Sequence, residues 1–365
     1  MRILILNWRD SKNPSAGGAE QLTHEIARRW ARDGHEITQI SARFLGCSSK
    51  EVIDGVRIIR LGQWWNVAFW AFFYYILFLR NKIDVIIDEV HWFPYFAKLY
   101  APKKTILLAC EVANRRFFKL FPAPLAALFR LIERYYLWLY QDAPAMAISG
   151  STKRELLDYG FSTDLITVIP MGVSLLDNMP FEKKEKQPTI MYLGRLNRLK
   201  GAEDAIEALL IIRHEVPNIK LWMVGSGEFS YVTYLKKRVS KHKLEKHIVF
   251  HGYVSEQRKF SLLARAHVLI VPSMHEGWGL TVSEATSVGT PSVVYDVPGL
   301  RDSIQQGNNG LTVEQNPRAL AQGVLKILRS RKINERTNRN SSEYARRFSW
   351  NDTAAKALEV IKQYV

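Results

Sequence analysis

The 365-residue sequence runs twice through one alternation, in which a short apolar strand-like run is followed by a stretch with apolar residues at helical spacing. That repetition constrains the fold most. Strands separated by helices must lie mainly parallel in one sheet, with the helices on its faces. The run 2–7 leads through a turn-rich loop, 11–18, into a helix expected over 19–32, where Leu22, Ile26, Ala27 and Trp30 recur on one face. Further strands are expected at 35–40, 56–61, 83–87, 105–109, 145–148 and 165–169. Residues 171–188 break the pattern with two prolines, Asp177-Asn178 and a Lys/Glu cluster. Strands at 189–193, 219–224, 248–250, 267–271, 292–295 and 311–313 then alternate with helices opening near Gly201, Glu228, Ser255, Leu280, Gly299 and Pro317. The expected class is α/β: two doubly wound, Rossmann-like parallel-sheet domains at 1–172 and 189–349, joined by a linker at 173–188. A last helix, 350–365, is expected to return to the first domain. Ligand is expected in a central cleft where the carboxyl ends of the two sheets face each other.

An apolar share of 47% and a charged share of 24% exclude disorder, collagen-like repeats and coiled coil. Lys and Arg number 51 against 35 for Asp and Glu, a formal +16 that favours nucleotides, nucleic acid or an acidic membrane as partners. The basic residues are scattered and no nucleic-acid module is present, so no nucleic-acid partner is expected. Cys47 and Cys110 are the only cysteines, too few for a disulfide framework or a cysteine zinc cluster. With strand-like residues 2–6 at the start and no leader pattern, the expected location is cytoplasmic. The aromatic segment 64–79 would reach about 24 Å as a helix, short of the roughly 30 Å hydrocarbon core, so it is not expected to span a membrane. Its Trp and Tyr content suits either a membrane interface or a buried crossover helix, and both readings stay open.

The stretch 272–285 is the most informative. After a strand it carries Glu276-Gly277-Trp278-Gly279-Leu280-Thr281, a glycine turn opening a helix near Leu280, where first-turn amides and the positive dipole end can hold a phosphate. Glu276 in the loop and Glu284 one turn inside the helix can reach different parts of one ligand, as acceptors for sugar hydroxyls.

The Glu-x7-Glu spacing of Glu276 and Glu284, in a Ser-x-x-Glu-Gly-x-Gly-Leu frame from Ser273, resembles the signature of family 4 glycosyltransferases of the GT-B fold. Gly194-Arg195-Leu196 with Lys200-Gly201 resembles the family's pyrophosphate-binding Arg and Lys. Gly17-Gly18-Ala19-Glu20 resembles its N-terminal glycine loop, and Gly289-Thr290-Pro291 with Pro298-Gly299 its C-terminal sheet turns. The turn Ser149 to Thr152 is also similar. The resemblance, which extends to prokaryotic cell-envelope glycan and polysaccharide glycosyltransferases, implies a retaining, metal-independent transfer from a UDP- or GDP-sugar, with no cofactor beyond that substrate. Arg195, Lys200, the Leu280 helix end and the Gly17-Gly18 amides would stabilise the diphosphate leaving group. Glu284 would hold the ribose, Glu276 the donor sugar, and the backbone of Tyr253 the nucleobase. No Asp-x-Asp metal motif is present.

Many members carry a His at the end of the strand matching 105–109, where this sequence has Cys110-Glu111. Glu111 or His91 is the candidate facing the reacting sugar, and either could equally be structural. Arg115, Arg116, Phe117, Phe118 and Lys119, continuing to Arg130, Arg134 and Tyr140, interleave basic and apolar residues as peripheral membrane surfaces do. The expected acceptor is therefore a glycan or a polyprenyl- or lipid-linked glycan in envelope polysaccharide or glycolipid synthesis, reached from the inner face of an anionic membrane. A GT-B sugar-nucleotide epimerase or hydrolase, and an inactive donor-binding scaffold, are the alternatives.

Overall fold

The computed structural model describes residues 1–91, 93–113, 117–173 and 182–364. Asn114, Arg115 and Arg116, and residues 174–181 of the expected linker, lie outside the described residues. The chain divides into two compact units, one of Met1–Gly172 with Trp350–Val365 and one of Val173–Ser349.

In chain order the first unit contains β1 (Arg2–Leu6), α1 (Gly18–Arg32), β2 (Glu36–Ala42), β3 (Lys50–Ile53), β4 (Val56–Leu61), α2 (Val67–Tyr74) and β5 (Val85–Val90). There follow α3 (Ala97–Tyr100), β6 (Thr105–Ala109), α4 (Phe117–Leu120), α5 (Ala123–Leu139), β7 (Ala145–Ala147), α6 (Gly150–Asp158) and β8 (Ile166–Val168). The strands form one sheet in the order β3-β4-β2-β1-β5-β6-β7-β8. β1 and β5 are near-continuous runs of buried apolar residues, as parallel strands covered on both faces must be. α1 buries Leu22, Ile26, Ala27 and Trp30, the face its periodicity marks. β3 departs from the expected pattern. It pairs antiparallel with β4 across Asp54 (φ 49°) and Gly55 (φ 84°), a turn that an Asp-Gly pair tolerates. Its residues are exposed or half-buried and carry no apolar run, so only the turn signalled it.

The aromatic segment forms α2 and, continuing it, a π-helical turn over Tyr75–Leu79. Val67, Ala71, Tyr75 and Leu79, four residues apart, are buried against the strands and α3. Trp64, Trp65, Phe69, Trp70, Phe73, Leu77 and Phe78 are exposed. The segment is a crossover helix with one buried line, as the buried-crossover reading expects, and a wide uncovered apolar face. Among the described residues no helix is long and apolar enough to cross a membrane.

The second unit contains β9 (Thr189–Leu193), α7 (Ala202–Ile212), β10 (Lys220–Val224), α8 (Phe229–Lys241), β11 (Ile248–Gly252), α9 (Glu256–Arg265) and β12 (Val268–Val271). It continues with α10 (Leu280–Ser287), β13 (Ser292–Tyr295), α11 (Pro298–Gly307), β14 (Gly310–Val313), α12 (Pro317–Arg329) and α13 (Arg331–Arg347). Its sheet is parallel throughout, in the order β11-β10-β9-β12-β13-β14. Helix α13, not foreseen as separate, restarts at Ser330, whose hydroxyl accepts the Ile333 N–H at 3.3 Å. The last helix, α14 (Trp350–Tyr364), packs in the first unit. There Trp30 Nε1 donates to the Ala354 carbonyl at 2.9 Å and Arg29 Nε to Asn351 Oδ1 at 2.7 Å.

In each sheet the strand order reverses direction once, between β1 and β5 in the first unit and between β9 and β12 in the second. Ligands of open parallel sheets bind outside the carboxyl ends of the strands at such a reversal.

Candidate functional site

The loops leaving β9 and β12 sit side by side at the second reversal. Met274 N–H donates to the Leu199 carbonyl at 2.9 Å, which ties the two loops together. Gly201 (φ 68°) allows a close crossing, since a Cβ there would fall 2.1 Å from the Pro272 carbonyl oxygen. Asn197 Oδ1 accepts the Lys200 N–H at 2.9 Å and shapes the turn that carries Lys200. From it Lys200 Nζ donates to Glu276 Oε1, joining the two loops by an ion pair. Burial pushes the Glu276 carboxyl up, but the charge and hydrogen bond of Lys200 and a hydrogen bond from Ser273 outweigh it, so Glu276 stays below its ordinary value. The Arg195 side chain is exposed beside the same turn, its carbonyl accepting from Tyr192 OH at 2.8 Å. Gly279 (φ 91°) precedes α10, whose first amides, at Leu280 and Thr281, have no carbonyl one turn earlier to bond. Gly299 N–H donates to the Glu276 carbonyl at 3.2 Å, so α11 opens directly against Glu276-Gly277. Lys200 and a helix opening thus meet at one strand reversal, with Arg195 exposed on the same loop as Lys200, an arrangement that can take an anion.

Glu284 is buried on α10. Burial pushes its carboxyl above the ordinary value, although Lys259 Nζ, 2.6 Å from Oε1, pulls the other way. Trp278 differs from its neighbours in the motif. Its ring is buried against Phe348 and its Nε1 donates to Ser283 Oγ at 2.9 Å, so only its backbone is left for a ligand. Tyr253 is exposed, following edge strand β11, two strands from β9.

In the first unit Gly17 and Gly18 open α1 after β1, with Gly17 N–H bonded to Glu20 Oε2 at 2.6 Å and Glu20 paired to Arg9 at 2.8 Å. His91 follows β5, its ring 6.2 Å from that of Trp8, and Glu111 follows β6; both are half-buried. The glycine pair and His91 thus follow the two strands of the first reversal, and Glu111 follows the next strand, β6. Cys110 is buried, its Sγ 3.5 Å from Glu89 Oε1. Glu89 also accepts from Asn7 Nδ2 at 2.7 Å and from Thr23 Oγ1, and burial pushes its carboxyl up to about 8. Asp88 holds the loop after β5 by accepting the Tyr95 and Ala97 amides at 2.8 and 2.9 Å.

Residues 16–175 match the model described as "Glycosyltransferase Family 4", and residues 177–347 the model described as "Glycosyl transferases group 1". The chain is a family 4 glycosyltransferase of the GT-B fold. An uncharacterised glycosyltransferase of Methanocaldococcus jannaschii is 26% identical over 99% of this chain and 98% of its own. Among solved structures, sucrose-phosphate synthase of Thermosynechococcus elongatus superposes with a TM-score of 0.78 at 19% identity, over 99% of this chain and 98% of its own. Anabaena HepE in complex with UDP-glucose superposes at 0.76 and 17% identity, over the whole of both chains.

Two groups of this glycosyltransferase escaped sequence reasoning. Lys259 touches a site carboxylate 25 residues away in sequence, and nothing local to α9 marks it out from the other basic residues there. Glu89 stands in an apolar strand run, and a carboxylate interrupting VIID-EV at a strand end was the available signal.

Proposed function

We propose that this glycosyltransferase moves a hexosyl group, with retention at the anomeric carbon and without a metal, from a UDP- or GDP-sugar to a hydroxyl of a glycan or lipid-linked glycan. The observation that carries the reading is the Lys200–Glu276 pair set against the opening of α10 at the strand reversal. Lys200 and Arg195 neutralise the diphosphate as the glycosidic bond breaks, and the Leu280 and Thr281 amides add fixed dipoles. In the first unit the Gly17 amide is taken by Glu20, which leaves the Gly18 amide as the donor of that glycine pair. Glu276 accepts hydroxyls of the donor sugar, Glu284 the ribose diol, and the Tyr253 backbone meets the nucleobase. Glu111 or His91 is the polar group facing the reacting sugar. That HepE was solved with UDP-glucose supports a nucleotide-sugar donor.

We further propose that the acceptor belongs to envelope polysaccharide or glycolipid synthesis and is met at the inner face of an anionic membrane, which the first unit contacts peripherally. α2, α3 and α5 pack on one face of its sheet, where Phe72 meets Tyr100 at 5.2 Å and Phe93 meets Tyr136 at 5.9 Å. Leu99, Leu128, Leu131, Tyr135 and Trp138 extend the exposed apolar face of α2. Arg80, Lys82, Lys103, Arg130 and Arg134 are exposed, whereas every described carboxylate between residues 62 and 140 is buried or half-buried. Just beyond α5 Asp142 is exposed and paired with Lys98 of α3 at 3.1 Å, so the surface carries an excess of exposed cations beside its apolar residues, which suits an anionic leaflet.

The test is turnover of UDP- and GDP-sugars with and without a polyprenyl-diphosphate glycan acceptor, in EDTA. Transfer that requires acceptor and survives chelation is expected. Donor turnover without acceptor would replace the reading by an epimerase or hydrolase, and a rate restored by magnesium would refute metal independence.

A further inference from the structure

Lys259 sits on α9, a helix capped by Ser255, whose hydroxyl accepts the Arg258 N–H at 3.3 Å. Its Nζ lies 2.6 Å from Glu284 Oε1 and 2.8 Å from each carboxylate oxygen of Glu256. The Lys259 side chain is 12% exposed and that of Glu284 4%, whereas Glu256 is 59% exposed and faces solvent. The ammonium is thus held by Glu256 at the surface and delivers its charge to a carboxylate inside. Among the described residues no donor other than Lys259 reaches the Glu284 side chain, and its Oε2 carries no protein hydrogen bond.

We propose that Lys259 is a positioning residue of the donor site, fixing Glu284 by Oε1 so that its other carboxylate oxygen is presented to the ribose diol of the nucleotide. The inference rests on the reading of Glu284 as the ribose acceptor. Two vicinal hydroxyls are both donors, so the group that receives them must be ionised and correctly turned; a neutral carboxyl spends one oxygen as a donor. A buried carboxyl resists ionisation, and here the opposing influence is Lys259. The other charge acting on Glu284 is Glu256, also on α9, which acts against it. From α13, packed on the far side of α10, Tyr344 bonds Ser283 at 3.0 Å rather than Glu284. Within α10, Ser287 Oγ donates to the Glu284 backbone carbonyl at 2.7 Å and leaves the carboxylate alone.

The test compares wild type with Lys259→Met and Lys259→Arg by calorimetric titration with UDP and GDP, and with their 2′,3′-dideoxy analogues, from pH 6 to pH 9. For the ribonucleotide that wild type binds, Lys259→Met should weaken affinity by about ten- to thirtyfold at low pH, the size of one lost charge-assisted contact. The loss should shrink as pH rises, because Glu284 without its lysine ionises only at higher pH. Lys259→Arg should stay within about threefold of wild type, and the dideoxy nucleotide should bind wild type and Lys259→Met alike. If Lys259→Met does not fold, Lys259→Gln carries the same comparison. A loss equal for ribo- and dideoxynucleotides and flat with pH, or no loss at all, overturns the inference. Glu284→Ala separates the two levels. If it binds the ribonucleotide as wild type does, the ribose reading of Glu284 fails; if it loses affinity while Lys259→Met does not, only the role of Lys259 fails.

Discussion

Glu276→Gln should tighten the binding of a nucleoside diphosphate while abolishing most of the transfer. In the resting site Lys200 is engaged by Glu276, and a diphosphate must draw it away. The amide keeps the shape of the carboxylate and removes its charge. Exposed pairs contribute at most about 1 kcal/mol, whereas breaking a fully buried one costs about 3–5 kcal/mol. With the two side chains 25% and 20% exposed, this pair lies toward the lower end, at about 1–2 kcal/mol. Releasing Lys200 should therefore improve diphosphate affinity by about five- to thirtyfold. Lys200→Met should weaken it by about ten- to a hundredfold. The double variant should bind no better than Lys200→Met, because the gain acts through Lys200. Calorimetric titration with UDP and GDP reads the affinities, and kcat with a saturating donor reads the transfer. Since Lys200 holds Glu276 below the ordinary carboxylate range, the difference should be flat from about pH 6 to pH 9. If Glu276→Gln weakens the diphosphate as much as Lys200→Met, or the double variant keeps the full gain, competition for Lys200 is refuted.

Three further outcomes follow from the same physics. Glu89, near 8 when folded and near 4.5 otherwise, keeps a proton that the unfolded chain releases, so stability falls as pH rises through that window, by about 1.4 kcal/mol per unit at most. Glu89→Gln, shaped like the neutral acid, should flatten the urea midpoint between pH 5 and pH 8, and an unchanged slope would contradict that account. Gly279→Ala forces a left-handed residue to carry a Cβ 2.6 Å from Leu300, and should cost about 1–2 kcal/mol in thermal unfolding together with diphosphate affinity; an unaffected affinity would move the anion away from α10. Replacing Phe69, Trp70 and Phe73 by Ser should reduce co-sedimentation with anionic vesicles, and high salt should release only part of the wild type, because salt screens the cations and not the apolar contact. Wild type remaining in the supernatant with every lipid would remove the membrane reading.

Legibility in the sequence followed the range of the interactions. The turns around Gly201 and Gly279 are local events, apolar strand to glycine to helix, and their residues were identifiable without coordinates. β3 was not, because an exposed four-residue strand needs no apolar alternation and its pairing is set by the Asp54-Gly55 turn. Trp278 lay inside the motif and was read with it, yet Ser283 and Phe348 draw its ring into the core, and no spacing rule separates a loop side chain that faces a ligand from one that anchors the loop. Lys259 shows the same limit from the other side, since its helix reads as an ordinary amphipathic one. What joins these pieces is strand order. β9 and β12 are separated in sequence by two strands and three helices, and only their adjacency in the sheet places Lys200 on Glu276 and Met274 on Leu199. Each loop alone is a glycine turn ahead of a short helix, with one kind of charge. Brought together at the reversal they become a cation, a carboxylate and a helix opening within reach of one ligand, so the chemistry of the site belongs to the topology as much as to the motifs.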